Sequence, residues 1–274
     1  IPIRLYFGQK LYLDQNWFEA LSGLEQVAAA MNSSHKDYPY LQFLIADCYL
    51  RVNQPRRAER IYRYLVEHHP KSVLAKEAAY RIADILSNEK NYARAAEAGE
   101  SAIEAYPEYE ATRSEVVFNV GEAYLWQGKF REAEAFFKRY VRKYSAKTNS
   151  ALALVRLGEI QEIAHKNLKD AKESYLKAKN GYPFSAGDLV ATIRLARIEL
   201  NAEKDPVFVL KSVQEILKDK NVDKDQRRAA ELVMVDYLLR LGDIESAIEI
   251  SRIGIRDNLG IYLESYKAAY SKSM

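Results

Sequence analysis

The sequence of 274 residues has few of the residues that break helices or form disulfide scaffolds. It contains 11 glycines and 7 prolines, together about 7%, where about 12% is usual in soluble proteins. The single cysteine, Cys48, excludes an intramolecular disulfide framework and a cysteine-rich metal site. The longest run without a charged residue spans the ten positions 26–35, too short to cross a bilayer. These absences argue against turn-rich β folds, collagen-like chains and membrane-spanning segments, and they favour long helices.

The charge balance is ordinary for a soluble folded chain. Charged residues make up 29% of the sequence and the formal net charge is +3. A charge of this size is by itself no sign of nucleic-acid binding. The chain begins at Ile1 and Pro2 rather than at Met, which is compatible with removal of a signal peptide or leader.

A small residue recurs at a nearly constant spacing along the chain. Six alanines follow an apolar or aromatic residue by three positions, at successive spacings of 38, 37, 38, 38 and 76 residues: Ala20, Ala58, Ala95, Ala133, Ala171 and Ala247. A second small residue precedes the first five of these alanines by 12 or 13 positions: Gly8, Ala46, Ala83, Gly121 and Gly158. Prolines at 70, 107 and 183 follow three of the alanines by twelve positions, where they end a helix that they cannot continue. Each unit is therefore predicted to be a helix, a short turn, a second helix and a proline.

This pattern resembles the tetratricopeptide repeat, a helical hairpin marked by small and aromatic residues in a fixed order. The fourth unit matches best, with Gly121, Tyr124, Phe130, Ala133 and Phe137. The resemblance implies an all-α fold, a right-handed α-solenoid of about seven hairpins with a capping helix at the C-terminus. A single superhelix over 1–274 is expected, with units at 1–36, 37–73, 74–110, 111–147, 148–185, 186–224 and 225–257 and a cap at 258–274.

The repeat is longer than the 34 residues typical of this family. The excess lies between the closing proline and the next helix. Thr112 and Glu115 have the spacing of a capping box, which predicts that the first helix of unit four begins one turn early. The long period is similar to that of bacterial cell-envelope members of the family, such as the TolA-binding periplasmic coordinator and the β-barrel assembly lipoprotein.

The periodic small and aromatic residues are interpreted mainly as core, because single hairpins cannot bury both faces and must stack. We assign Tyr49, Tyr62, Tyr92, Tyr124, Phe130 and Phe137 to this core. In the last segment, Tyr262, Tyr266 and Tyr270 are four residues apart and are expected to face inward from the capping helix.

A second stripe on the first helices lies about 130° from the core stripe at 100° per residue. The family resemblance implies that this stripe, at positions 2, 5, 9 and 12 of each first helix with position 6 at its edge, lines a concave groove that binds a partner. The candidate groove residues are Tyr40, Phe43, Asp47, Tyr80, Arg81, Asp84, Phe118, Asn119, Glu122, Trp126, Arg156, Glu159, Arg194 and Arg197. In units five and six the residues at position 5 are Val155 and Ile193. The stripe is therefore predicted to have an apolar floor beside a row of carboxylates. A ligand with basic and apolar side chains fits this pattern, although Arg81 with Asp84 and Arg156 with Glu159 are spaced to pair along their own helices instead.

Residues 138–179 carry an excess of positive charge, a net +7 from eleven Lys or Arg against four acidic residues. The candidate basic convex patch consists of Lys138, Arg139, Arg142, Lys143, Lys166, Lys169 and Lys172. An acidic partner, anionic lipid or nucleic acid would suit such a patch, and an ordinary solvated outer face is the alternative. Nucleic acid is the least favoured of these.

Enzymatic chemistry finds no support in the motifs. The closest glycines are six residues apart, which excludes the glycine-rich motifs for dinucleotides, phosphates and nucleophilic serine. The four histidines lie near predicted turns, and Cys48 has no histidine at helical spacing. We therefore predict no catalytic residue, no metal site, no cofactor and no small-molecule substrate.

Two function classes remain. The first is a non-enzymatic scaffold that binds a protein or peptide in a bacterial periplasmic, envelope or motility assembly, with contact to a membrane-anchored partner or formation of homo-oligomers left open. The second is a cytoplasmic regulatory module that controls a signalling or DNA-binding partner.

Overall fold

The computed structural model describes residues 2–202, 206–257 and 263–273, in which helices are the regular structure. Within these ranges the structure has fifteen α-helices: α1 Pro2–Leu13, α2 Trp17–Ala30, α3 Tyr38–Arg51, α4 Pro55–His68, α5 Val73–Asn88, α6 Tyr92–Ala105, α7 Glu115–Trp126, α8 Phe130–Lys143, α9 Ser150–Ile163, α10 Leu168–Gly181, α11 Ala186–Asn201, α12 Pro206–Lys218, α13 Lys224–Leu241, α14 Ile244–Asp257 and α15 Leu263–Ser273. A 3-10 turn, Pro107–Tyr109, follows α6.

The helix ends follow the residues that the sequence places there. Pro70, Pro107 and Pro183 each lie two positions beyond the last residue of a helix. The side chain of Ser72 accepts a hydrogen bond from the backbone N–H of Leu74 at 3.2 Å, which satisfies one of the free donors at the start of α5. These signals explain why helix and turn alternate so regularly.

The chain divides into two compact units, Ile1–Tyr140 and Val141–Met274. In the first unit, α1/α2, α3/α4 and α5/α6 form successive hairpins, and α7 packs against the first part of α8 through Phe118 and Phe137. The repeated alanines Ala20, Ala58, Ala95 and Ala133 are buried. A Cβ atom on Gly121 would lie only 2.8 Å from the Phe137 ring, so a glycine is needed where α7 approaches α8.

The second unit contains the hairpins α9/α10, α11/α12 and α13/α14, with α15 packed on α13 and α14. Ala171 and Ala247 are buried here, and the position midway between them, 38 residues from each, is the buried Val209. The sixth hairpin therefore keeps the repeat position but fills it with a larger side chain. In α15, Tyr266 is buried and Tyr270 is half-buried, while Tyr262 lies outside the described residues.

The expected early start of the first helix in unit four is wrong. Helix α7 begins at Glu115, and the residues before it form turns instead of an added helical turn. Glu110, in these turns, is buried and forms an ion pair with Arg139. Because this ion pair and the packing of Tyr109 on Tyr80 hold the segment, the extra residues form a structured loop.

The all-α solenoid fold of stacked hairpins with a capping helix is confirmed. Among the assigned core aromatics, Tyr49, Tyr62 and Phe137 are buried, whereas Tyr92, Tyr124 and Phe130 are half-buried. A single continuous superhelix over 1–274 stays a prediction.

Candidate partner-binding surface

In each unit, we call the candidate groove residues on the first helices the first-helix surface. In the first unit these are Tyr40, Phe43, Asp47, Tyr80, Arg81, Asp84, Phe118, Asn119, Glu122 and Trp126 on α3, α5 and α7, and in the second unit Val155, Arg156, Glu159, Ile193, Arg194 and Arg197 on α9 and α11. The structure buries most of its apolar floor within the chain itself: Tyr80, Phe118, Val155 and Ile193 are buried, and Phe43 is half-buried. The accessible aromatics are Tyr40, 41% exposed, and Trp126, 63% exposed. The accessible apolar area therefore comes from the ends of the helices.

Asp47 is the most deeply buried carboxylate of this surface, only 1% exposed. It forms an ion pair with Arg81 of the next hairpin and accepts a hydrogen bond from the Tyr12 hydroxyl of the preceding hairpin at 2.6 Å. Arg51, one turn further along α3, lies 3.7 Å away. One carboxylate thus connects three successive hairpins.

The pairing continues toward α7. Arg81 also binds Glu77 at 2.7 Å, and Glu77 lies 3.4 Å from Arg113, in the loop before α7. Arg113 in turn forms an ion pair with Asp84, which accepts a hydrogen bond from the Asn119 side chain at 3.2 Å. We call this set the inter-hairpin ladder: Tyr12, Asp47, Glu77, Arg81, Asp84, Arg113 and Asn119.

Burial and charge act in opposite directions on the ladder residues. Burial lowers the pKa of Arg81, but the nearby Tyr62 and Asp47 outweigh it and raise that pKa above its ordinary value. Burial raises the pKa of Asp84 above its ordinary value, and Arg113 opposes this shift. Arg81 therefore keeps its charge at physiological pH.

The second unit repeats the same arrangement once. Glu159 is buried and pairs with Arg194 of the next hairpin as well as with Arg156 on its own helix, the latter at 2.8 Å. The charge of Glu159 helps to raise the pKa of Arg194 above its ordinary value, against the lowering effect of burial. Arg197, three positions beyond Arg194, is exposed.

The carboxylates therefore pair mainly with residues of neighbouring hairpins. The expected pair within one helix occurs for Arg156 and Glu159, but Arg81 pairs with Asp47 and Glu77 rather than with Asp84. The sequence pattern did not indicate Tyr12 and Arg113 as members of the ladder, nor the pairing role of Glu77.

A sequence signal for this ladder does exist. The pairs across hairpins join residues 34 or 35 positions apart, as from Asp47 to Arg81 and from Glu159 to Arg194. This offset is three residues shorter than the repeat period of 37 or 38. The reason is that Asp47 and Glu159 lie three positions later in their own repeat than Arg81 and Arg194 do in the next one. Arg113 does not obey this rule, since it lies in the loop before α7.

A cavity of about 520 Å³ opens beside the ladder in the first unit. Ladder residues Arg81, Asp84 and Arg113 line it together with Leu50 and Asn88. At the end of α7, the Trp126 ring stacks on Tyr92 of α6, with 5.8 Å between ring centres and 12° between ring planes. In the first unit this surface thus offers a cavity lined by charged residues and an aromatic pair whose Trp126 ring is exposed.

At least three of the seven residues of the candidate basic patch form ion pairs within the chain. In the first unit Lys138 lies 2.7 Å from Glu134, and Arg139 pairs with the buried Glu110. In the second unit Lys172 pairs with Glu199 of α11, while four further members are exposed: Arg142, Lys143, Lys166 and Lys169. These ion pairs reduce the positive potential that the composition alone indicates.

None of the described helices combines the length and the apolar character that crossing a bilayer requires. Within the described residues, His, Cys, Asp and Glu side chains form no group of three that would hold a metal ion. Cys48 is buried, and burial raises the pKa of its thiol to about 12. The thiol is therefore protonated at neutral pH, which makes it a poor nucleophile.

Comparison with known proteins identifies the repeat. Family models described as tetratricopeptide repeat match residues 43–110 and 115–146, the region from α3 to α8. A comparison with curated proteins gives no match.

Similar solved structures include a tetratricopeptide repeat protein from Parabacteroides merdae, with 12% identity, a TM-score of 0.67, and coverage of 100% of this chain and 98% of that one. PilF of Pseudomonas aeruginosa is 17% identical, with a TM-score of 0.56 over 82% of this chain and 94% of that one. PilW, described as a widely conserved type IV pilus biogenesis factor, is 19% identical, with a TM-score of 0.56 over 82% and 96%. At these identities the likeness shows the fold, and the family models identify tetratricopeptide repeats in residues 43–110 and 115–146.

Proposed function

We propose that this chain is a non-enzymatic scaffold that binds a segment of a partner protein on its first-helix surface. Tetratricopeptide repeats are protein-interaction modules, so the family itself supports a protein partner. Repeat arrays of this kind use extended surfaces made by successive hairpins for binding. The observation that supports this particular surface is the inter-hairpin ladder, which holds neighbouring first helices in a fixed arrangement before any partner arrives.

A fixed surface favours binding because less conformational freedom is lost when the partner associates. The ladder leaves Tyr40 and Trp126 as accessible aromatic anchors, and exposed aromatic residues supply much of the affinity at protein interfaces. Since Asp47, Asp84 and Glu159 already have internal cationic partners, the carboxylates give little reason to favour a basic ligand. The proposed contacts are therefore aromatic and apolar, with the polar cavity beside Arg81 as a second point of attachment.

We also propose that the partner belongs to a bacterial envelope assembly. The long repeat period and the likeness of the fold to PilF and PilW support this assignment. The same proposal includes the absence of an intrinsic enzymatic activity.

Affinity capture from the native organism, followed by mass spectrometry, tests the scaffold function. The wild-type chain is compared with Trp126→Ala, which removes an exposed anchor, and with Phe18→Ala, which removes an aromatic residue that is 70% exposed on a second helix. We expect the Trp126 variant to lose envelope proteins that the wild type and the Phe18 variant retain. Equal capture by all three proteins would contradict binding at the first-helix surface, and capture of cytoplasmic proteins alone would contradict the envelope assignment.

A further inference from the structure

A second groove lies on the other side of the first unit, between α2 and α4 and above α3. It encloses about 570 Å³. We call it the outer groove and define it by Glu25, Tyr38, Tyr49, Arg57, Arg60 and Tyr64, all of which line it. The groove shares no residue with the ladder or with the cavity beside Arg81.

The walls of the outer groove combine aromatic rings with positive charge. Tyr64 contacts Tyr38, with 6.4 Å between ring centres, and stacks on His68 at 4.3 Å. The Arg57 guanidinium lies 5.5 Å from the centre of the Tyr49 ring. Glu25, the acidic residue of the groove, already accepts a hydrogen bond from the Tyr49 hydroxyl. The groove therefore presents more positive than negative charge.

The next hairpins contain an equivalent groove, which serves as an internal comparison. It lies between α4 and α6 above α5 and encloses about 430 Å³. Arg94 occupies the position of Arg57, because each immediately precedes the repeated alanine of its hairpin. Arg94 forms an ion pair at 2.7 Å with Glu59, which is 7% exposed and also binds Arg63 at 2.8 Å. In this groove the arginines have a partner within the chain.

The outer groove lacks that internal partner. Glu59 immediately follows Ala58, and the residue that immediately follows Ala20 in the first hairpin is Leu21. Leu21 is 8% exposed, so the same buried position holds an aliphatic side chain where the next hairpin has a carboxylate. Among the described residues, neither Arg57 nor Arg60 has a carboxylate within ion-pair distance, and both side chains are exposed.

Because the outer groove has no carboxylate equivalent to Glu59, we infer that it binds an acidic segment of a partner protein. A carboxylate of that segment pairs with Arg57 and Arg60, in the role that Glu59 has for Arg94. An adjacent aliphatic or aromatic side chain of the segment packs against Tyr38 and Tyr64. Charge complementarity decides the class of ligand, because cationic guanidinium groups over tyrosine rings favour carboxylates and repel basic peptides. This inference concerns a different surface from the proposed function and stands independently of it.

Fluorescence anisotropy with short labelled peptides tests the inference. The probes are a peptide of alternating glutamate and leucine, the same peptide with glutamine for glutamate, and the same peptide with lysine. We expect the glutamate peptide to bind at least about tenfold more tightly than the other two, with an affinity that falls as salt is added. Arg57→Glu and Arg60→Glu are each expected to weaken this binding about tenfold.

Arg56→Glu is the matched control, because Arg56 is 88% exposed on the same helix and faces Glu89 at 3.7 Å instead of the groove. It should leave peptide affinity almost unchanged. Leu21→Glu gives an independent check, since a carboxylate at this position would engage Arg57 as Glu59 engages Arg94 and would weaken peptide binding, provided that a thermal melt shows the variant to be folded. The Trp126→Ala protein should bind the glutamate peptide normally, which separates this test from that of the first-helix surface.

Three results would overturn the inference. They are equal affinity for the glutamate and lysine peptides, equal loss of affinity in the Arg56 and Arg57 variants, and tighter binding of a single-stranded RNA oligonucleotide than of the glutamate peptide.

Discussion

At the scale of single residues, the ladder shows how charged groups on a repeat protein acquire a structural role. Taking a carboxylate and a guanidinium out of water has a large free-energy cost, which their attraction offsets only when the geometry is good and the other polar atoms are bonded. Asp47 meets this condition through Arg81 and the Tyr12 hydroxyl. Removal of one partner leaves the other charge buried and unpaired. The free energy of unfolding therefore falls by more than the ion pair itself contributes to it.

Asp47→Ala is therefore expected to lower the free energy of unfolding by about 3 kcal/mol, since it leaves Arg81 and the Tyr12 hydroxyl without their shared acceptor. Urea unfolding followed by circular dichroism measures the change. Glu108→Ala is the control, because Glu108 pairs with Lys76 on an exposed surface where solvent screens the interaction. The control should unfold at the wild-type urea concentration. If the two variants lower the urea midpoint of unfolding equally, the burial of Asp47 does not add to the free energy of unfolding.

At the scale of helices, the spacing of small residues sets how closely the two helices of a hairpin approach. A Cβ atom on Gly158 would lie 2.5 Å from the Tyr175 ring, so the close contact of α9 with α10 requires a hydrogen atom at this position. Gly23 lies in the interior of α2, and the position that a Cβ atom would take there faces open space. The first glycine is required by packing and the second is not.

This difference predicts opposite effects for the same substitution. Gly158→Ala should lower the free energy of unfolding by about 2 kcal/mol, because a buried Tyr175 ring has to move. Gly23→Ala should raise it by about 0.5 to 1 kcal/mol, because alanine loses less conformational entropy in a helix. Thermal unfolding of both variants provides the measurement. Destabilisation by Gly23→Ala, or no effect of Gly158→Ala, would show that the described packing does not set the helix spacing.

At the scale of the whole molecule, the sequence predicts the fold better than the surface. Periodic alanines and closing prolines were sufficient to predict hairpins, because small residues at close contacts follow directly from helix packing. The early start of α7 was predicted wrongly, since nothing local indicates that Glu110 is held by Arg139. For the first-helix surface, the pattern indicated which residues share a stripe but not that Tyr80 and Phe118 are buried. Burial of these residues depends on how the next hairpin packs against them, and the residue pattern of one helix does not specify that packing.

The stacking of hairpins also determines how far the destabilising effect of a substitution extends along the chain, because each hairpin contacts mainly its neighbours. In the second unit, α9 packs on α10 and α11, whereas α13 packs on α11, α12, α14 and α15. Gly158→Ala should therefore increase amide hydrogen exchange most in α9 and α10, less in α11, and hardly at all in α14 and α15. Exchange measured by mass spectrometry on the wild type and the variant, under conditions where the wild type is folded, resolves these helices. A uniform increase across α9 to α15 would mean that the second unit opens as a single cooperative body, and nearest-neighbour stacking would then not describe its stability.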